Sequence, residues 1–245
     1  MHNKKPKTTV WAVLHNDRPF FKEILMKLSK RINAILDLCP ALDTWADIGA
    51  DHGLTSWGLL ISKKANTVIA ADISEGSLSK ARALKEERRL SSMQLRIGDG
   101  FKAVLNDRAD GAVISGMGTP LITDILEAEK EYAHSLKYMV LSPNNYSERM
   151  RKYLTENGYE IIKERMIEER GKYYPAMLIK RGEKRELGLL ESYLGINTVK
   201  DEDYEKYLVY KSGVWEQIIK DTDGKNARAL KMYGIYHEAL ISLRP

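Results

Sequence analysis

The sequence predicts an α/β protein, a doubly wound and mostly parallel sheet with a helical extension behind it. Three observations predict this. Short apolar runs alternate with helix-period segments from residue 44 to residue 157. Most of those runs end in glycine, aspartate or serine, the residue types found where an open parallel sheet meets a ligand. Two further β-rich runs, 159–167 and 172–180, are joined only by Glu168-Glu169-Arg170-Gly171. That link is too short for a crossover helix, so the pair forms an antiparallel hairpin.

The chain has 245 residues and is 43% hydrophobic, enough for one sizeable domain and a small appendage. The boundary falls after residue 182, giving units 1–182 and 183–245. Cys39 is the single cysteine, so no internal disulfide forms and a reducing compartment is expected. The apolar stretch 10–14 is too short for a signal peptide, and no run approaches the ~20 residues of a membrane helix. A soluble, cytoplasmic protein is expected. The net charge is +5, and residues 1–46 alone carry +4 of it. Lys4, Lys5, Lys7, Arg18, Lys22, Lys27, Lys30 and Arg31 make up that basic cluster. It suits either phosphate neutralisation or a solvated tail and helix face.

The elements follow in order. Ile24, Leu28, Ile32, Ile35 and Leu36 recur at helical spacing over 20–38, and Pro40 ends that helix. A buried strand at 44–48 leads into a helix over 54–63. A second strand, 67–72, precedes a helix through Leu90 that Ser74 or Ser77 caps. Strands at 94–97, 111–115 and 138–142 alternate with helices at 121–130 and 147–157, the last stopped by Gly158. Beyond the hairpin, strand signals cease. Leu187, Leu190 and Leu194 share one helical face. Tyr204, Tyr207, Leu208, Trp215, Ile218 and Ile219 share another, and Ala227, Leu230, Ile235, Ala239 and Leu240 a third. Asp221-Thr222-Asp223-Gly224 turns the chain between the last two, which pack as an antiparallel pair.

The chemistry sits at the strand ends. Asp47-Ile48-Gly49-Ala50-Asp51-His52-Gly53 runs from a strand through a turn into a helix. Gly49 lets a ligand approach the backbone, and the helix N-terminus offers N–H groups to a carboxylate. Asp72, followed by Ile73, is positioned to accept both hydroxyls of a ribose. Asp99 can accept from an adenine amine, with Gly98 and Gly100 leaving room for the ring. Asp47 and Asp51 suit the ammonium and sulfonium of S-adenosylmethionine. Ser115-Gly116-Met117-Gly118 completes the edge. A dinucleotide site needs G-x-G-x-x-G, and here Asp51 stands where the second glycine belongs. A carboxylate there repels a pyrophosphate by roughly 4 kcal/mol at 4 Å and an effective dielectric near 20. S-adenosylmethionine is therefore the expected cofactor.

These motifs resemble the bacterial tRNA adenine-N1 methyltransferases that act at position 22. The resemblance rests on Asp47-Ile48-Gly49-Ala50-Asp51-His52, on Gly116-Met117-Gly118 and on Pro143-Asn144. Glu169-Arg170-Gly171-Lys172-Tyr173-Tyr174 and Leu28-Ser29-Lys30-Arg31 add to it. It covers about residues 26–182 by motif and the rest by architecture. It implies a Rossmann-like class I methyltransferase fold, S-adenosylmethionine as cofactor, tRNA as partner and a coiled-coil-like C-terminal extension. Three departures touch the substrate side. Ser142 precedes Pro143-Asn144 where the family has Gln, Thr119-Pro120 follows Gly-Met-Gly where the family has a further Gly, and a segment precedes Met26.

Given that resemblance, Asn144 is the candidate base-orienting residue. Its side-chain carbonyl and the backbone carbonyl of Ser142 would accept from the adenine amine, while Pro143 stiffens the turn. Tyr146, Tyr173 and Tyr174 are candidates for stacking on a base, and Lys27, Lys30 and Arg31 for phosphate contact. The target base leaves its stack to react. His2, His15, His52, His134 and His237 are scattered without cysteine at ligand spacing, so no metal site is expected. Two alternatives stay open: a methyltransferase of a small molecule or protein, and a non-catalytic RNA-binding module.

Overall fold

A computed structural model describes residues 28–243. Among these residues the first helix is α1, Lys30–Leu38, opened by the Ser29 hydroxyl accepting the Ile32 N–H. Residues 20–27 of the expected helix, Lys27 included, lie outside the described residues.

The alternation then runs as β1 Leu42–Ile48, α2 Leu54–Ile61, β2 Ala65–Asp72, α3 Glu75–Glu87, β3 Met93–Ile97 and β4 Gly111–Ser115. It continues as α4 Thr119–Ala128, α5 Lys130–Ser135, β5 Tyr138–Ser142 and α6 Ser147–Glu156. Ser74, not Ser77, caps α3, accepting from the Ser77 N–H. A 3₁₀ segment, Gly100–Val104, and helix α5 lack the length to show a periodicity in sequence.

The hairpin is β6 Tyr159–Glu169 and β7 Lys172–Arg181. Its strands run further than the pattern predicted, leaving a two-residue turn. Arg170 and Gly171 have φ of 55° and 74°, the left-handed pair that matches strand twist. The seven strands order as β3-β2-β1-β4-β5-β7-β6. β1 to β5 pair in parallel, and β7 runs antiparallel between β5 and β6. The order reverses between β1 and β4, where such sheets bind ligands beyond their carboxyl ends.

Successive side chains along the central strands serve opposite faces. Ile114 and Leu141 join one core with Ile48, Phe101, Leu126, Met150 and Leu154. Their neighbours Val113 and Val140 join the other with Ile35, Trp45, Trp57 and Leu59. Both faces are covered, so the strands read as continuous apolar runs.

Beyond the sheet lie α7 Leu189–Leu194, α8 Glu202–Asp221 and α9 Ala227–Ile241. α8 and α9 form the expected pair, burying Tyr204, Tyr207, Leu208, Met232, Ile235, Tyr236 and Leu240 with Met166 of β6. Two expected positions differ. Leu230 is 49% exposed and Leu190 58% exposed. The buried face of α9 runs through Ala229, Met232, Ile235 and Tyr236 instead, one position out of phase at Leu230.

A buried ion pair fastens the segment that leads to these helices. Arg151 on α6 donates to both carboxylate oxygens of Glu164 on β6 and to the Ser192 carbonyl. Glu164 also accepts from the Ile196 N–H at 3.2 Å. Both side chains are at most 1% exposed. Attraction and hydrogen bonds to Glu164 outweigh desolvation and hold the Arg151 pKa above its ordinary value.

Candidate functional site

The strand register sets the site. Ile48 pairs with Ala71, Asp72 with Ile97, Ile48 with Ile114, and Ser115 with Ser142. The carboxyl ends of β2, β3, β1, β4 and β5 therefore form one continuous edge.

At its centre the chain leaves β1 through Gly49, Asp51 and Gly53, with φ of 75°, 41° and 70°. The φ of 75° at Gly49 strains any side chain there, and a Cβ would also displace the Met117 methyl. Gly53 gives α2 no side-chain cap. Asp47 lies beneath the turn, 2% exposed, and accepts from the Ser56 hydroxyl at 2.6 Å. Burial pushes its carboxyl up to about 6, against the opposing hydrogen bonds from Ser56. Asp47 thus braces the turn from below, whereas Asp51 sits above it. The Asp51 carboxylate meets the His52 ring and, at 3.5 Å, Lys80.

Asp72 ends β2. Its two oxygens accept the backbone N–H groups of Asp51 at 3.1 Å and Ser74 at 3.3 Å. It therefore ties the first turn to the second, with lone pairs left for a ligand. Ile73 and Ile97 beside it are 69% and 59% exposed. Asp99 is exposed and opens the 3₁₀ segment. A Cβ on Gly98 would lie 2.8 Å from Ala103, and one on Gly100 would lie 3.1 Å from Ile125, so their bareness also serves packing within the fold. Gly116, with φ of 82°, faces open space.

The turns after β4 and β5 are latched together. The Asn144 side-chain amide donates to the Gly116 carbonyl at 2.6 Å, and the Asn144 backbone N–H to the Met117 carbonyl at 2.8 Å. The Thr119 hydroxyl donates to the Asn145 carbonyl at 2.6 Å, and the Thr119 N–H to Asn145 Oδ1 at 3.2 Å. Gly118 is the N-cap residue of α4. Pro143 is buried and Asn144 exposed.

Arg31 departs most from expectation. Its guanidinium donates to Ser142 Oγ at 3.0 Å, to Asn144 Oδ1 at 2.7 Å and to the Ser142 carbonyl, and it lies 4.3 Å from the Tyr174 ring centre. Its backbone N–H donates to Glu169. Burial lowers its pKa, opposed by Tyr174 and Glu169. This guanidinium holds the loop after β5. Lys30 reaches Asp203 of α8 at 2.6 Å.

Beside this loop opens a cleft of about 730 Å³. Asn144, Tyr146, Tyr173 and Tyr174, the candidates for base contact, line it, and so do Arg31 of α1 and Tyr210 and Lys211 of α8. The exposed Tyr210 was not legible in a helix whose other tyrosines are core. Tyr146 holds φ of 51°, a strained conformation for an aromatic residue, under the Arg149 guanidinium. Among the described residues no group of three metal-ligating side chains assembles. Cys39 is buried, and burial pushes its thiol pKa up, which suits packing and not nucleophilic attack.

Sheet order, turn and acidic edge together define a Rossmann-like class I methyltransferase. A family model described as a methyltransferase domain matches residues 28–177. The chain is 33% identical over 160 residues to the tRNA (adenine(22)-N(1))-methyltransferase of Bacillus subtilis (strain 168), covering 65% of this chain and 67% of that protein. It belongs to that bacterial methyltransferase family. Two solved structures share the fold. A putative tRNA (m1A22) methyltransferase of Streptococcus pneumoniae aligns with a TM-score of 0.78 at 22% identity, over 87% of this chain and 99% of that one. M. capricolum TrmK, solved with S-adenosyl-homocysteine, aligns at 0.74 and 22% identity, over 89% and 99%.

Proposed function

We propose that this protein transfers a methyl group from S-adenosylmethionine to N1 of an adenine in tRNA, at position 22 as its relatives' names specify. It would act in the cytoplasm, where that substrate is. The observation that carries the reading is the latch between Asn144 and Gly116. It fixes the turn suited to the methyl donor against the turn suited to the acceptor base.

The residues at the edge fit the cofactor. Gly116 admits close backbone approach, and Asp47, Asp51 and Asp72 place negative charge where a cationic donor needs it. Asp72 and Ile73 would hold the ribose end and Asp99 the adenine. Ser115, Gly116, Met117 and Gly118 would wall the reacting end, with His52 orienting Asp51. When bound, the cofactor supplies a sulfonium-borne methyl group, and the protein supplies alignment.

Adenine N1 is neutral near pH 7 and has an in-plane lone pair, so no base need precede attack. The Asn144 Oδ1 uses one lone pair on Arg31 and keeps another for the adenine amine, which sets the ring plane. The Ser142 carbonyl accepts from both Arg31 and the Gly116 N–H, so its part is to position the loop. Pro143 restricts the loop backbone. The division after residue 182 belongs to the same proposal. It is supported by the α8–α9 cluster, which packs apart from the two cores of the sheet.

The test is incubation with labelled S-adenosylmethionine and unmodified tRNA, then mapping of the methylated nucleotide. Label at adenine N1 is expected. Asn144→Ala should lower turnover at least tenfold and leave cofactor affinity unchanged. Label only on protein or small molecules overturns the reading.

A further inference from the structure

The cleft has two chemically distinct ends. One carries Asn144, whose side-chain carbonyl is already assigned to the target base. The other is built by α8 and β7. There Tyr210 stacks on Tyr173 with ring centres 5.1 Å apart and planes 28° from parallel. Tyr173 is itself fixed. Its hydroxyl donates to the Lys206 carbonyl at 3.2 Å, and its ring meets Tyr207 at 5.7 Å and 61°. Tyr210 is thus a backed platform, yet 51% exposed. An exposed aromatic ring with one face supported is preorganised to receive a second flat group at low entropic cost.

Cations flank the platform. Lys172 and Lys211 line the same cleft, with Glu148 the acidic member. Lys211 is half-buried, its ammonium 5.6 Å from the Tyr236 ring centre. Burial lowers its pKa, so a nearby anion would be welcome there. Flat ring, ammonium groups and open access match an unpaired nucleotide: a base for Tyr210 and a phosphate for Lys211 and Lys172.

Resting on the proposed methyl transfer to tRNA, we propose that Tyr210, backed by Tyr173, forms a second nucleotide subsite. It takes an unpaired base neighbouring the target adenine, and Lys211 takes the phosphate between them. The reacting site then depends on α8 for its substrate grip. Lys30, paired with Asp203, and Tyr173, bonded to Lys206, fix where that helix sits.

The experiment compares Tyr210→Ala, Tyr210→Leu, Tyr210→Phe and Lys211→Ala with the wild type on unmodified tRNA. Base–aromatic stacking of ~1–3 kcal/mol predicts a KM for tRNA raised about 5- to 150-fold in Tyr210→Ala and Tyr210→Leu. kcat should stay within about twofold, cofactor affinity by calorimetry should not change, and Tyr210→Phe should behave as wild type. Lys211→Ala should flatten the salt dependence of tRNA binding by about one unit of slope. A leucine variant with wild-type KM, a loss confined to kcat, or an unchanged salt slope overturns the subsite. A wild-type protein active on tRNA with such variants leaves the proposed reaction standing. A wild-type protein that neither binds nor methylates tRNA overturns both.

Discussion

The Arg31 guanidinium donates to Asn144 Oδ1 at 2.7 Å, although the two residues lie 113 positions apart in sequence. The same guanidinium reaches Ser142 twice, so three donors of one rigid fork set the loop after β5. Lysine has the charge but not the fork. Arg31→Lys should therefore lower kcat by about 10²-fold, the usual cost of misplacing a reacting group by ~1 Å. Cofactor affinity should be unaltered. Steady-state kinetics with calorimetric titration checks both, and unchanged kcat would refute the bracing role.

Asp47 predicts a pH dependence. Its carboxyl is held up to about 6 in the folded protein, against an ordinary value of 3.8. The fold therefore binds this proton more tightly than the unfolded chain does. Its contribution to stability is complete below about pH 4 and is lost as pH rises through about 6. A cationic ligand favours the ionised form and drives the proton off. Affinity for S-adenosylmethionine should rise about tenfold between pH 5 and pH 7, with proton release below pH 6. Titrations in buffers of different ionisation enthalpy measure this. Asp47→Asn should remove most of the dependence.

Asp72 both binds and builds. Each of its oxygens accepts a backbone N–H, from Asp51 and from Ser74. Charge-assisted bonds of this kind are worth ~1.5–3 kcal/mol. Asp72→Ala should weaken cofactor binding by more than tenfold. Asp72→Asn, which keeps an acceptor oxygen, should retain more of the turn and lose less. Equal losses in both would mean that only charge matters.

The Arg151–Glu164 pair is a stability prediction. Removing one partner strands a buried charge, at a cost of about 3–5 kcal/mol. Glu164→Gln should lower the denaturant midpoint accordingly. It should also speed hydrogen exchange at Ile196, whose N–H bonds the Glu164 carboxylate. A midpoint within experimental error of wild type would show that the pair is dispensable.

The strands were legible because each is a short apolar run closed by a turn residue. The acidic edge was legible because ligand chemistry concentrates where those runs end. What escaped reading shares one cause: partners far away in sequence. Arg31 looked like a solvent-facing charge because nothing near it reveals Ser142 or Asn144. Glu164 sits among Lys163 and Arg165 and reads as surface, yet its partner on α6 makes it core. Nothing near Gly98 and Gly100 in sequence reveals that Ala103 and Ile125 pack against them. Leu190 and Leu230 fit an apolar stripe by spacing and miss the buried face by a fraction of a turn.

The last strand of the sheet to be synthesised is an interior one. β7 enters between β5 and β6, and the Pro175 carbonyl on it accepts the Ser142 hydroxyl at 2.8 Å. A nascent chain that has released β5 but not residues 172–181 would carry an open apolar strand edge. At ~5–20 residues per second, that interval lasts a few seconds during translation. Ribosome stalling or truncation in this window should yield aggregation-prone fragments rather than a partly active enzyme.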